Sequence, residues 1–220
     1  MERETFNQID LLFNDLYQFT CSFTYFQSNK HEDEATFEVF FRKHPFGGQY
    51  AILAGIEAVR KFINGFKLTK EHEEFLKMTL PNITDEYLEW LRQDFSSKIK
   101  VKAFKEGSIV FAREPLISYT GPLGFVQILE TPVLNLLGFA TLVATNASRM
   151  SKAIYPKKCV EFGIRRAQGP DGALSASSYA FLGGFDGTSN MKASQIYGMP
   201  CLGTMSHAFI TSFTTLDEVE

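Results

Sequence analysis

Most of the side chains able to do chemistry lie in one stretch, residues 161–213, which reads EFGIRRAQGPDGALSASSYAFLGGFDGTSNMKASQIYGMPCLGTMSHAFITSF. Adjacent Arg165 and Arg166 follow a short apolar run, 159–164, that reads as a buried strand. A Gly-Pro-Asp-Gly turn at 169–172 comes next, then small residues suited to a helix. A second apolar run ends in GGFDGTSN and a third in GTMSH. Strand, polar tip and helix thus recur in the rhythm of parallel βα units. Such units bind ligands at the carboxyl ends of their strands, where these tips fall. The tips offer guanidinium groups, glycine-freed N–H groups, hydroxyls and the His207 imidazole, an inventory that suits an anion such as phosphate. Paired arginines also serve as salt-bridging surface residues, and Gly-rich tips as plain turns. Pattern alone does not separate these readings.

Five motifs in order narrow the choice. LLFNDLYQFT, FFRKHPFGGQYAILAG, EFGIRRAQGPDG, GGFDGTSN and GTMSHAF resemble nicotinate phosphoribosyltransferase, in register over residues 11–213. The resemblance reaches only the N-terminal part of a family enzyme more than twice as long. It implies that nicotinate and phosphoribosyl pyrophosphate are converted to nicotinate mononucleotide and pyrophosphate, coupled to ATP hydrolysis, in NAD synthesis. His207 stands where the family's histidine takes phosphoryl from ATP, a task suited to an imidazole nitrogen. Arg165, with Arg166 beside it, matches the grip on the nucleotide phosphate, for which a planar fork of donors outperforms lysine. Phe162 and Tyr17 match two rings that sandwich the pyridine, and Asp15 and Thr204 fall at further site positions. In nicotinamide-using relatives the tyrosine comes from the partner subunit, so a homodimer with shared sites is implied. Those relatives carry aspartate where Ser189 stands. An aspartate would repel nicotinate's carboxylate, whereas a hydroxyl can donate to it. The expected cofactor is Mg²⁺ or Mn²⁺, with ATP as co-substrate.

These residues need elements to hold them. An aromatic-rich pattern over 9–27 (Leu12, Leu16, Phe19, Phe23, Phe26) predicts a helix carrying Asp15 and Tyr17. Alternation over 35–42 predicts a strand with Phe37, Val39 and Phe41 on one face. Helices are expected over 50–65, 70–79 and 84–94, and a strand-rich hairpin or meander over 99–119. Gly121-Pro122 opens a long apolar pattern in which Pro132 should kink or split a helix. Glu130 and Asn135 within it are either buried and partnered or mark its wet edge. His31, His44 and His72 read as surface histidines. The basic SKAIYPKK run at 151–158 marks a boundary between an N-terminal α+β domain, 1–150, and the first βα units of an irregular barrel of the type II phosphoribosyltransferase kind, 151–220. Three such units cannot close a barrel, which needs roughly eight strands. The rival reading is therefore a truncated, non-catalytic paralogue that binds a full-length partner or a nucleotide.

Composition bounds the rest. The 220 residues, 45% hydrophobic and 21% charged, suit a globular protein with a real core, aromatic-rich because 22 are phenylalanine. A net charge of −3 lacks the basic footprint of a nucleic-acid binder. Cys21, Cys159 and Cys201 lack metal-ligand spacing and read, for the two in apolar runs, as small core residues of a reducing compartment. Glu2, Arg3, Glu4 and Asp10 interrupt any signal-peptide pattern, and polar residues break the apolar stretch 116–143, so no membrane span and a cytosolic protein are expected.

Overall fold

The computed structural model describes residues 9–213. One helix organises it. α5 (Leu123–Ile154) runs 32 residues without a break, and α1 (Leu16–Gln27), α2 (Ile56–Gly65), α6 (Gly169–Leu182) and strands of two sheets pack along it. Pro132 does not split it. Proline removes the N–H that would bond the Ile128 carbonyl; here the Asn14 Nδ2 donates to that oxygen instead, at 2.8 Å. A side chain from the N-terminal segment thus replaces the missing helix bond.

That segment is not helical from residue 9. The Asp10 carboxylate accepts the Leu12 N–H at 2.8 Å, and Phe13 N–H bonds the Asp10 carbonyl. The resulting turn buries Leu11 and delays α1 to Leu16. Asp15 is the N-cap of α1 by backbone, with no capping bond from its side chain.

β1 (Glu34–Val39) pairs antiparallel with β5 (Ile117–Pro122), placing Phe37 opposite Tyr119, and β5 pairs antiparallel with β3 (Lys100–Ala103). Between them β4 (Ile109–Val110) leaves the meander to pair with β2 (Ala51–Ile52). The helix expected from residue 50 therefore starts only at Ile56. Gly55 sets the break: its φ is +99°, and a Cβ there would lie 2.4 Å from the Leu136 carbonyl oxygen of α5. Hydroxyls of α5 satisfy the backbone that passes it, Thr145 accepting from Ile52 N–H at 2.8 Å and Thr141 from Ala54 N–H at 3.2 Å. The Glu106 carboxylate accepts from Gly55 and Glu57 N–H, capping α2.

α3 (Lys70–Thr79) and α4 (Asp85–Leu91) follow, capped by Thr69 and Thr84. His72 is buried, not on the surface, because its Nδ1 accepts the Thr69 N–H and completes a capping box. His31 packs edge-on to Trp90, and His44 Nε2 accepts from Ala112 N–H. The core is aromatic as composition indicates: Tyr87, Trp90, Phe95, Phe125 and Tyr119 are all buried, with Phe95 stacked on Phe125. Pro122 closes β5 and caps α5 with extended backbone, just ahead of the helix. By length and composition α5 would suffice to cross a membrane, yet half of its most apolar window is buried in this fold, as in a core helix. Asn135 faces solvent.

After α5 the chain builds a parallel pair, β6 (Val160–Glu161) with β7 (Gly187–Thr188), extended by a parallel bridge from Thr188 to Cys201. The residues expected as a turn, 169–172, are instead the first turn of α6, with Pro170 where a missing N–H costs nothing. α7 (Met191–Tyr197) and α8 (His207–Ile210) follow the second and third strand positions. No cysteine is buried: Cys21 and Cys159 are half-buried and Cys201 is exposed.

Candidate active site

The carboxyl ends of β6, β7 and the strand position at Cys201 lie side by side, so the loops that leave them converge. Phe162 follows β6 directly, and Arg165 sits in a single 3₁₀ turn, Ile164–Arg166. Ser189 follows β7; its neighbour Asn190 caps α7 by accepting the Ala193 N–H at 3.2 Å. Thr204 lies in the loop after Cys201. Ser206 caps α8, accepting the Phe209 N–H at 3.1 Å, and sets His207 as the first residue of that helix.

Together Phe162, Arg165, Ser189, Thr204 and His207 line one open cleft of about 760 Å³. Ile164, Met191, Leu202 and Met205 give it apolar walls, and among the described residues no carboxylate lines it. Among the described residues Arg165 has no ion-pair partner. An unpaired guanidinium, an imidazole and two hydroxyls beside an exposed ring can hold an aromatic anion by stacking and charge-assisted hydrogen bonds.

Three expected residues are not in this cleft. Arg166 turns to a separate hollow between α5 and α6, beside Phe139 and Val143. The 3₁₀ turn thus sends the two neighbouring arginines to different hollows. Asp15 and Tyr17 sit at the α1–α5 junction. Thr131 Oγ1 donates to Asp15 Oδ2 at 3.0 Å, and Tyr17 Oη donates to Glu130 Oε1 at 3.2 Å. Behind them the wholly buried Gln18 donates to Thr131 and accepts from Gln127. Glu130 is thus a partnered polar residue. Partial desolvation first, then the nearby Glu130 and Asp15 carboxylates, hold the Tyr17 phenol above its ordinary range. Its ring stays half exposed.

Sequence reasoning missed the polar cluster at the base of the loops that form the cleft. Glu161 Oε2 accepts from Ser177 Oγ at 2.8 Å and Thr188 Oγ1 at 2.7 Å, and its Oε1 accepts the Gly163 N–H. Its carbonyl accepts the Ser189 N–H at 2.9 Å. Asn190 is buried against Ser177 and Ala173. The available signal was an acid ending an apolar strand, with hydroxyls at the next strand tip. At the other end of β6, burial and then the Asp186 carboxylate push the Cys159 thiol up, which makes it a poor nucleophile.

Residues 12–138 match the model of the nicotinate phosphoribosyltransferase N-terminal domain. The chain is 50% identical over 209 residues to nicotinate phosphoribosyltransferase 2 of Arabidopsis thaliana, a match that spans 94% of the chain and 38% of that protein. It is 46% identical over 205 residues to the Homo sapiens nicotinate phosphoribosyltransferase, again spanning 38% of that protein. The crystal structure of human nicotinic acid phosphoribosyltransferase superposes with a TM-score of 0.82 at 47% identity, over 91% of this chain and 40% of that one. A nicotinate-nucleotide pyrophosphorylase from Pyrococcus furiosus, 24% identical, shares the fold at a TM-score of 0.75 over 96% and 47%. The chain thus spans less than two fifths of the length of these curated relatives, and within that span it belongs to the nicotinate phosphoribosyltransferase family.

Proposed function

We propose that this chain is the N-terminal portion of an enzyme that transfers a phosphoribosyl group to nicotinate, releasing pyrophosphate and forming nicotinate mononucleotide, with ATP hydrolysis coupled through His207. The observation that carries the reading is the convergence of Phe162, Arg165, Ser189, Thr204 and His207 on one cleft. In this reading Phe162 stacks on the pyridine, Ser189 donates to its carboxylate, and Arg165 grips the 5′-phosphate. Transfer at the ribose C1 passes through a cationic state, so the protein's work is positioning and electrostatics. Thr204 and the α8 N-terminus face the same space, and in this reading the His207 imidazole accepts phosphoryl from ATP.

Asp15 and Tyr17 act across a dimer in this proposal. Tyr17 is half exposed and held by Glu130 on the α1–α5 face, outside its own chain's cleft, where a partner's cleft could meet it. The parallel strands are read as the opening units of a type II phosphoribosyltransferase barrel, in a cytosolic enzyme. Among the described residues no group of three His, Cys, Asp or Glu converges as a metal site. The described residues therefore offer no ligand set of their own for the expected Mg²⁺ or Mn²⁺.

The test is pyrophosphate release with nicotinate, phosphoribosyl pyrophosphate and ATP, beside calorimetric binding of nicotinate mononucleotide. Turnover, or binding that nicotinamide mononucleotide fails to match, supports the proposal. Neither turnover nor mononucleotide binding, with capture of a full-length enzyme, favours the non-catalytic paralogue, for which the exposed α1–α5 face provides a docking surface.

A further inference from the structure

Among the described residues Glu161 is the carboxylate at the base of the loops that form the cleft, and it joins two of the three, those after β6 and β7. Oε1 accepts the N–H of Gly163, inside the tip that carries Phe162 and Arg165. Oε2 accepts hydroxyls from Ser177 on α6 and Thr188 on β7, and the Glu161 carbonyl accepts the Ser189 N–H. A Cβ on Gly163 would stand 2.9 Å from Glu161 Oε1 and would press on the clip. Gly163 has an ordinary negative φ, so its backbone conformation does not call for glycine. Ser177 and Thr188 are buried, and each hydroxyl is tied again, Ser177 near the Ala173 carbonyl and Thr188 to the Asn190 N–H. The carboxylate is therefore anchored on rigid elements and holds a short loop.

We propose that Glu161 is a positioning residue of the cleft. By clipping the Gly163 N–H to the Ser177 and Thr188 hydroxyls, it fixes the direction in which Phe162 presents its ring and Arg165 its guanidinium. It does not touch the ligand. A two-residue strand and a single 3₁₀ turn give this tip little hydrogen bonding of its own, so without the clip the tip is free to rotate. The ligand this orientation serves is the pyridine mononucleotide of the proposed function, and to that extent the inference rests on that reading.

The test uses the full 220-residue chain. Glu161→Met keeps the reach and removes the acceptors, whereas Glu161→Gln keeps an acceptor for Gly163 and an amide that the two hydroxyls can receive. Amide spectra report the clip without ligand. Expected are an upfield move of the Gly163 N–H in the Met variant, changed Phe162 amide and Arg165 Nε–H resonances, and recovery in the Gln variant. Nicotinate mononucleotide binding should weaken about tenfold or more in the Met variant, the scale of a misdirected charged hydrogen bond, and stay within about threefold in the Gln variant. Gly163→Ala provides a second route should the Met variant fold poorly. It should perturb the same resonances, and Glu161→Ala added to it should relieve the clash, giving non-additive effects. Unmoved Phe162 and Arg165 resonances in both the Met and the Gly163→Ala variants overturn the inference, as does equal mononucleotide affinity across the set. Resonances that respond in a chain that binds no nicotinate mononucleotide overturn the functional proposal and leave the positioning role standing.

Discussion

Arg165 and Arg166 are indistinguishable as neighbours in sequence, and the fold sends them to different places. Replacing each with glutamine tests that difference. Arg165 faces the cleft with no carboxylate to release among the described residues, so its charge is available to a bound phosphate. At about 4 Å a unit pair is worth about 1 kcal/mol in water-like surroundings and about 4 kcal/mol at the effective dielectric of a protein surface. The cleft is open, which favours the lower half of that range; two forked hydrogen bonds add to it. Arg165→Gln should therefore weaken nicotinate mononucleotide binding by about 2–3 kcal/mol, on the order of 30- to 150-fold. Arg166→Gln should change it less than about threefold, since Arg166 lines the hollow between α5 and α6. Isothermal titration calorimetry at two salt concentrations measures both, and the Arg165 contribution should shrink at the higher salt. Equal losses for the two variants, or a larger loss for Arg166, would refute the assignment of the phosphate grip.

Other consequences concern the scaffold. Gly55→Ala forces a Cβ to within 2.4 Å of the Leu136 carbonyl at a φ of +99°. It should cost about 3–4 kcal/mol in urea unfolding, strain and overpacking together. Gly65→Ala, at the exposed end of α2 with nothing near its Cβ, should instead gain about 0.5–1 kcal/mol. Asn14→Leu strips the Ile128 carbonyl of its donor and should cost about 1–2 kcal/mol. Its own Oδ1, buried with no hydrogen-bond partner among the described residues, is removed too, which lowers the loss. Adding Pro132→Ala gives that carbonyl a helix N–H again and should recover stability. Burial first, then the Glu106 carboxylate, pushes the Tyr179 phenol up to about 12. A raised folded pKa favours the protonated state, so this stabilisation is full below about pH 10 and is lost as pH rises through about 12. Tyr179→Phe should flatten the fall in stability across that window.

Much of the site was legible because its residues are local in sequence. Phe162, Arg165, Ser189, Thr204 and His207 each follow a strand position by a few residues, and parallel pairing sets strand ends side by side. The same logic failed where position depends on distant contacts. Arg166 shares its neighbour's motif, yet the 3₁₀ turn, packed against α6, turns its side chain to the hollow beside α5. Glu161 was invisible because its partners, Ser177 and Thr188, lie 16 and 27 residues away and no periodicity links them.

Helix starts went astray for a related reason. The apolar pattern over 50–65 is continuous, but Gly55 must pass the backbone of α5 at a distance no side chain tolerates, and that constraint resides in Leu136. Pro132 gives the opposite case. Its local rule demands a break, and a residue more than a hundred positions earlier, Asn14, supplies the donor the helix lacks. That contact also draws the segment bearing Asp15 and Tyr17 onto α5, where Thr131 and Glu130, the two residues before the proline, hold them. A residue that looks like a helix breaker thus marks where the N-terminal segment docks. Its position next to Glu130 and Thr131 is the physical reason that the proposed cross-subunit residues sit on the spine of the fold and not on a free terminus.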